Sequence, residues 1–245
     1  MSTYVYGFTY SAHPLPLDGL VGVGADAPPL RLVRQERLVA VVSDAPANLR
    51  AKRRDLEAHE RVLETLCDVG TILPMRFGMV APDDDAVRRE LRTGAERYAG
   101  LLTRLEGQVE LNVKGVHQKD GVLAQLLSRH RELRERNEAL RASGGGSYQD
   151  KVAFGERVAA AMEERRSEDA ERVVARLRPY ASQVRLGPPV DGCFVNASFL
   201  VAATGLEDLE SSASQLRGEV AGYADVRVYG PLPPYSFVSA NGASA

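Results

Sequence analysis

The sequence has few of the residues from which catalytic sites are usually assembled. Its four histidines, His13, His59, His117 and His130, are scattered, and none has a second His or Cys at ligand spacing, so no metal site is expected. His59-Glu60 resembles half of a zinc-protease helix motif, but the position that needs the second histidine is Leu63. No serine lies in a nucleophile elbow, and no glycine-rich turn from strand to helix marks a dinucleotide site. The run Ser143-Gly144-Gly145-Gly146-Ser147 lacks the Lys-Ser/Thr of a phosphate loop and reads as a hinge. The expectation is a protein without enzymatic activity or cofactor.

Cysteine, charge imbalance and long apolar runs are also missing. The two cysteines, Cys67 and Cys193, fall in a helical and a strand pattern, so both read as reduced, small buried hydrophobes. With 31 basic and 33 acidic side chains the formal net charge is −2, which leaves no global field to attract nucleic acid or an anionic membrane. No stretch approaches the ~20 apolar residues of a membrane span. The opening Met1-Ser2-Thr3-Tyr4 has neither a basic nor an apolar leader region, so a cytoplasmic chain is expected.

What is present is enough chain, at 245 residues, for one large domain or two of roughly 100 to 150 residues. The patterning favours two. Residues 3–10 alternate strictly, which puts Tyr4, Tyr6, Phe8 and Tyr10 on one face of a strand, packed under a helix. A loop rich in Gly, Pro and Asp fills 11–29. Strands at 30–33 and 38–42 flank the polar Arg34-Gln35-Glu36-Arg37, and a helix over 54–69 buries Leu56, Val62, Leu63, Leu66 and Cys67. A strand at 71–73 follows, completing a shortened ferredoxin-like unit with a helix on one face of a small antiparallel sheet.

Asp83, Asp84 and Asp85 read as the N-terminal signal of a single linking helix over 84–105. Alternation resumes at 108–116, with Val109, Leu111 and Val113 inward. Long amphipathic helices over 120–142 and 148–178, joined at the glycine run, form a helical hairpin. Strands at 183–186 and 193–202, a helix from Leu206 to Val220 and a last strand at 225–229 complete a second ferredoxin-like pattern that carries this hairpin as an insertion. The fold class is therefore α+β, two ferredoxin-like antiparallel sheets with packed helices. The expected domains are 1–105, 106–230 and a proline-rich tail, 231–245, that leaves the sheet at Gly230 and docks back on the first domain through Tyr235 and Phe237. Its final residues, 239–245, are small and polar and read as without fixed structure.

The centre of the chain is Leu73-Pro74-Met75-Arg76-Phe77-Gly78, where Pro74 ends a strand or places it on an edge. Arg76 is the single charge in an apolar run. A buried guanidinium without a partner is costly, so Arg76 is expected either to pair, with Glu60 or Glu64 as candidates, or to point out of the core.

This hexapeptide resembles the central motif of the gas vesicle F/L family, accessory proteins of the gas-filled protein shells that give some prokaryotes buoyancy. Tyr4-Val5-Tyr6-Gly7, His59-Glu60-x-Val62-Leu63-Glu64 and Gly230-Pro231-Leu232-Pro233-Pro234-Tyr235-Ser236-Phe237 are similar to that family's other landmarks and stand in the same order. The resemblance implies a gas vesicle assembly protein located in the cytoplasm and on the vesicle. It would bind the small, hydrophobic main shell protein and other gas vesicle accessory proteins, keeping the shell protein soluble or nucleating the shell, or would become a minor shell component. The residues expected to bind the partner are Tyr4, Tyr6, Pro74, Met75, Arg76, Phe77, Tyr235 and Phe237. A competing class is a single-stranded nucleic-acid binder that stacks bases on Tyr4 and Tyr6. The absent basic-aromatic signature on the other strands speaks against it.

Overall fold

The computed structural model describes residues 1–238, so the polar end at 239–245 lies outside the described residues. The chain forms two compact units, Met1–Glu110 together with the chain from Pro231, and Leu111–Gly230.

The first unit contains β1 (Thr3–Tyr10), β2 (Arg31–Gln35), β3 (Leu38–Asp44), α1 (Arg53–Cys67), β4 (Leu73–Pro74), β5 (Val80–Ala81), α2 (Asp84–Thr93) and α3 (Ala95–Leu105). Its antiparallel sheet runs β2-β3-β1-β4, with β5 also paired to β1. β1 is thus flanked on both sides, and Thr3 to Thr9 are all buried. Helices cover both faces, α1 on one, α2 and α3 on the other, which is more than the single covering helix the sequence predicted. That second layer explains why Leu38 to Val42 of β3 are buried without alternation.

Three local expectations change. The pairing of β1 with β3 slips between Val5 and Gly7, so Tyr6 sits in a bulge. Beyond a bulge the side-chain parity reverses. Tyr4 and Tyr6 accordingly join Val62, Leu63 and Leu66 of α1, whereas the Phe8 ring meets Tyr98 of α3 edge-on at 4.9 Å and Tyr10 Oη donates to the Ala99 carbonyl. The four aromatics do not share a face. The linking helix is two helices broken at Gly94, where the Tyr98 ring packs so closely over the backbone that a β-carbon would collide with it. The expected strand at 71–73 is instead the two-residue edge strand β4, compatible with Pro74 because an edge residue needs no second hydrogen-bonded neighbour.

The second unit's sheet is built from β6 (Gln108–His117), β7 (Gln183–Leu186), β8 (Cys193–Ala202) and β9 (Ala224–Leu232) in the order β7-β8-β6-β9. Leu111, Val113, Phe199, Val201 and Val226 form its core with Leu209, Ala213 and Leu216 of α7 (Leu206–Val220). The helical insertion comprises α4 (Lys119–Arg129), α5 (Arg131–Ala142) and α6 (Tyr148–Leu177). The helix predicted over 120–142 is interrupted at His130, whose extended φ/ψ of −101°/96° separates α4 from α5. Gly144, Gly145 and Gly146 all take positive φ in the turn to α6, and Ser147 with Asp150 makes a reciprocal capping box at the start of α6. The sequence placed the end of the sheet at Gly230, but β9 continues through Pro231 to Leu232. β9 is an edge strand, where a missing N–H is tolerated. Among the described residues no helix is long and apolar enough to cross a membrane.

Candidate functional site

The site is built from a buried knot of polar aromatics in the first unit. Tyr4 on β1 and His59 on α1 are joined by a 2.9 Å hydrogen bond between Tyr4 Oη and His59 Nδ1, and His59 Nε2 lies 3.1 Å from the Met75 carbonyl. A carbonyl only accepts, so Nε2 carries the proton, Nδ1 accepts, and Tyr4 donates to it. The Tyr4 oxygen in turn accepts the Gly78 N–H at 3.2 Å. Burial pushes the His59 pKa down, outweighing the Met75 bond, and keeps the ring neutral. Burial also raises the Tyr4 and Tyr6 hydroxyls. Tyr6 stacks on His59 at 5.6 Å, lies 3.1 Å from Ser43 Oγ and accepts the Val23 N–H. One histidine therefore ties the sheet and the helix to the 73–79 segment.

That segment makes a reverse turn closed by the Met79 N–H to the Arg76 carbonyl at 3.3 Å. Gly78 takes φ +93°, the left-handed region that such a turn reserves for glycine. The Phe77 ring packs edge-on against Tyr4 at 6.0 Å and His59 at 5.8 Å. With Phe77 pinned inward, its neighbour Arg76 is directed outward. Arg76 is exposed and makes no ion pair or side-chain hydrogen bond among the described residues, so the pairing expected with Glu60 or Glu64 is not formed. Its charge stays in water, and no desolvation forces a partner on it.

The chain from Pro231 supplies another wall. Pro233 and Pro234 are buried, a short 3₁₀ turn spans Tyr235–Phe237, and the buried Glu110 carboxylate accepts both the Ser236 N–H at 2.8 Å and Ser236 Oγ–H at 2.6 Å. Phe237 is 1% exposed. Tyr235 packs against the α1 cluster, and burial, aided by the Glu60 and Glu64 charges, raises its hydroxyl pKa. Between these walls lies a cleft of about 450 Å³, lined by Leu73, Pro74, Met75 and Arg76 on one side, with Arg97, Tyr98 and Leu101 of α3, and with Met79, Tyr235 and Val238. Its lining is mostly apolar, with Arg76 and Arg97 as the charged members. Met79 is 48% exposed and the adjoining Val80 is 41% exposed. The Arg97 guanidinium lies 4.6 Å over the Tyr98 ring and pairs with Glu90, and burial with Glu90 raises the Tyr98 hydroxyl to about 12.

Of the residues singled out in the sequence, Pro74, Met75, Arg76 and Tyr235 line this cleft, while Phe77 and Phe237 brace it from within. Tyr4 and Tyr6 are 0% exposed and offer no ring face to a partner or a stacked base. Sequence reasoning took His59 as a helix residue without a metal role, missed the bonds it makes, and missed Met79, Arg97, Tyr98 and Leu101. His59 carried one signal, an apolar neighbour three and four positions on, in Val62 and Leu63, which puts it on the buried stripe.

A second polar cluster lies within Leu111–Gly230. His117 Nε2 lies 2.9 Å from Asp169 Oδ2, Arg165 Nε donates to the same oxygen at 2.6 Å, and Tyr223 Oη donates to Oδ1. Arg165 also donates to Gln125 and lies 4.4 Å over the Tyr223 ring, and His117 stacks on Phe194 at 4.4 Å. Burial would raise the Asp169 carboxyl, but the bonds from His117 and Arg165 outweigh it and hold its pKa below the usual range. The side chains of His117, Arg165, Asp169 and Tyr223 are buried, which makes the cluster a clamp of α6 onto the sheet. Among the described residues no group of three or more His, Cys, Asp or Glu side chains is placed to hold a metal ion.

A model of the family described as "Gas vesicle synthesis protein GvpL/GvpF" matches residues 2–239. The chain is 44% identical over 238 residues to gas vesicle protein F of a Streptomyces strain, covering 97% of this chain and 100% of that one. It is 38% identical over 124 residues to gas vesicle protein L of the same strain, covering 45% and 46%. Its fold is similar to the crystal structure of GvpF from an Anabaena species, with a TM-score of 0.80 at 22% identity over 98% of this chain and 99% of that one.

Proposed function

Because the chain belongs to the GvpL/GvpF family of gas vesicle synthesis proteins, and so has a role in gas vesicle formation, we propose that it acts there by protein binding. Its partner is the small, hydrophobic main shell protein of the vesicle, which it keeps soluble or helps to nucleate into a shell, in company with other gas vesicle accessory proteins. The observation that carries this reading is the cleft beside the turn at Arg76–Met79, lined mostly by apolar side chains, of which Met79 is exposed. A concave site of about 450 Å³ falls in the range of pockets that hold a few apolar side chains of a ligand. Exposed apolar surface on a rigid frame marks an interaction site, and a shell protein with much apolar surface is the complement such a site requires.

Co-expression with the shell protein tests this. The wild-type chain is expected to co-purify with the shell protein and raise its soluble fraction, whereas Met79→Lys, which replaces an exposed apolar side chain of the cleft by a charge, is expected to lose both effects while melting as the wild type does. Failure of the wild-type chain to retain the shell protein would overturn the reading.

A further inference from the structure

We propose that the cleft selects a segment carrying an acidic side chain among apolar ones, and that Arg76 is the residue that reads the carboxylate. The inference rests on the shell-protein reading above and names the chemistry of the docking segment. Its basis is an imbalance of charge. Arg76 and Arg97 line the cleft and no carboxylate does. Arg97 is already engaged by Glu90 and Tyr98, but the Arg76 guanidinium has no partner among the described residues.

Arg76 is also held ready. The turn closed by Met79 N–H, the positive φ of Gly78 and the pinned Phe77 ring fix its backbone, so a docking carboxylate need order only the side chain itself. A solvated surface arginine needs no such frame, and one standing alone among polar neighbours would carry no inference. Here the neighbours are Met75, Met79 and Pro74, so a segment lying over them would exclude water from around the guanidinium and strengthen its pairing. Arginine suits the task because its planar fork binds a carboxylate at two points.

Capture of the shell protein by the full-length chain tests the proposal with Arg76→Glu, Arg76→Lys and Met79→Lys compared at low and high salt. Since Arg76 is exposed, its variants are expected to melt as the wild type does. Arg76→Glu is expected to weaken capture roughly tenfold or more and Arg76→Lys less. One acidic-to-lysine replacement in the shell protein is expected to restore capture by Arg76→Glu. If Arg76→Glu captures as well as the wild type while Met79→Lys does not, the cleft binds by apolar contact alone and the proposal fails, although the reading above stands. If Arg76→Glu changes only self-association in sedimentation, the occupant is a second copy of this chain and the proposal is overturned. If the wild-type chain captures nothing, both fall together.

Discussion

Tyr4 donates its hydroxyl proton to Nδ1 of His59 across 2.9 Å, linking the first strand to the first helix, while the same oxygen receives the Gly78 N–H. Tyr4→Phe leaves a buried nitrogen and a backbone N–H without partners. The expected loss is about 1 to 3 kcal/mol, seen as a lower denaturant midpoint with an unchanged m-value. A midpoint equal to that of the wild type would show that the knot does not hold the turn.

Acid should loosen the same knot. Burial lowers the His59 pKa from its ordinary value of 6.5, so in the window below 6.5 the unfolded chain binds a proton that the folded one refuses. Stability is therefore full above pH 6.5 and falls as pH drops through the depressed folded value. Chemical denaturation between pH 7.5 and 5 should show this slope in the wild type and a shallower one in His59→Gln. Equal slopes would remove His59 as the cause.

Glu110 carries the returning chain on two hydrogen bonds from Ser236. In Glu110→Ala the Ser236 N–H loses its acceptor, and the segment around Tyr235 and Phe237 is expected to open more often. Limited proteolysis should then cut after Tyr235 several-fold faster, with a stability loss of about 1 to 3 kcal/mol. Unchanged cleavage would mean that the aromatics alone seat the segment.

Asp169→Asn probes the other unit. It leaves Arg165, buried at 3% side-chain exposure, without its counter-charge, a change that costs about 3 to 5 kcal/mol where it has been broken elsewhere. Hydrogen exchange should report the loss in α6 and α7 and spare β1. A loss of less than about 1 kcal/mol would show that water enters readily and that the pair is solvated.

Much of the architecture was legible because it is written in local periodicity. The two antiparallel sheets, the inserted hairpin and the glycine turn all follow from alternation, helical spacing and glycine placement. Tertiary choices were not legible. The bulge at Tyr6 is set by pairing with Val41 and Val42 on another strand, and it sends Phe8 to the opposite face despite an unbroken alternation. The break at Gly94 answers to the Tyr98 ring, because a lone glycine in a helical pattern is normally tolerated for about 1 kcal/mol. The cleft was half visible for the same reason. Pro74, Met75, Arg76 and Tyr235 sit in a marked motif and a proline-rich segment, whereas Arg97, Tyr98 and Leu101 belong to a helix that the sequence presents as a connector.

The helical insertion has a consequence of its own. The buried residues of α6 are Arg165, Asp169, Val173 and Leu177, all in its second half, and α5 buries only Leu133. The outer turns of α6 are therefore supported by α5 and not by the sheet core. Removing or adding seven residues in each helix keeps their facing stripes in phase, and each such step changes the reach of the pair by about 10 Å. The reach of the insertion can on this ground be changed without touching the sheet core, and chimaeras with matched seven-residue additions to α5 and α6 should fold with the parent's melting temperature while presenting the loop at Gly144, Gly145 and Gly146 farther out.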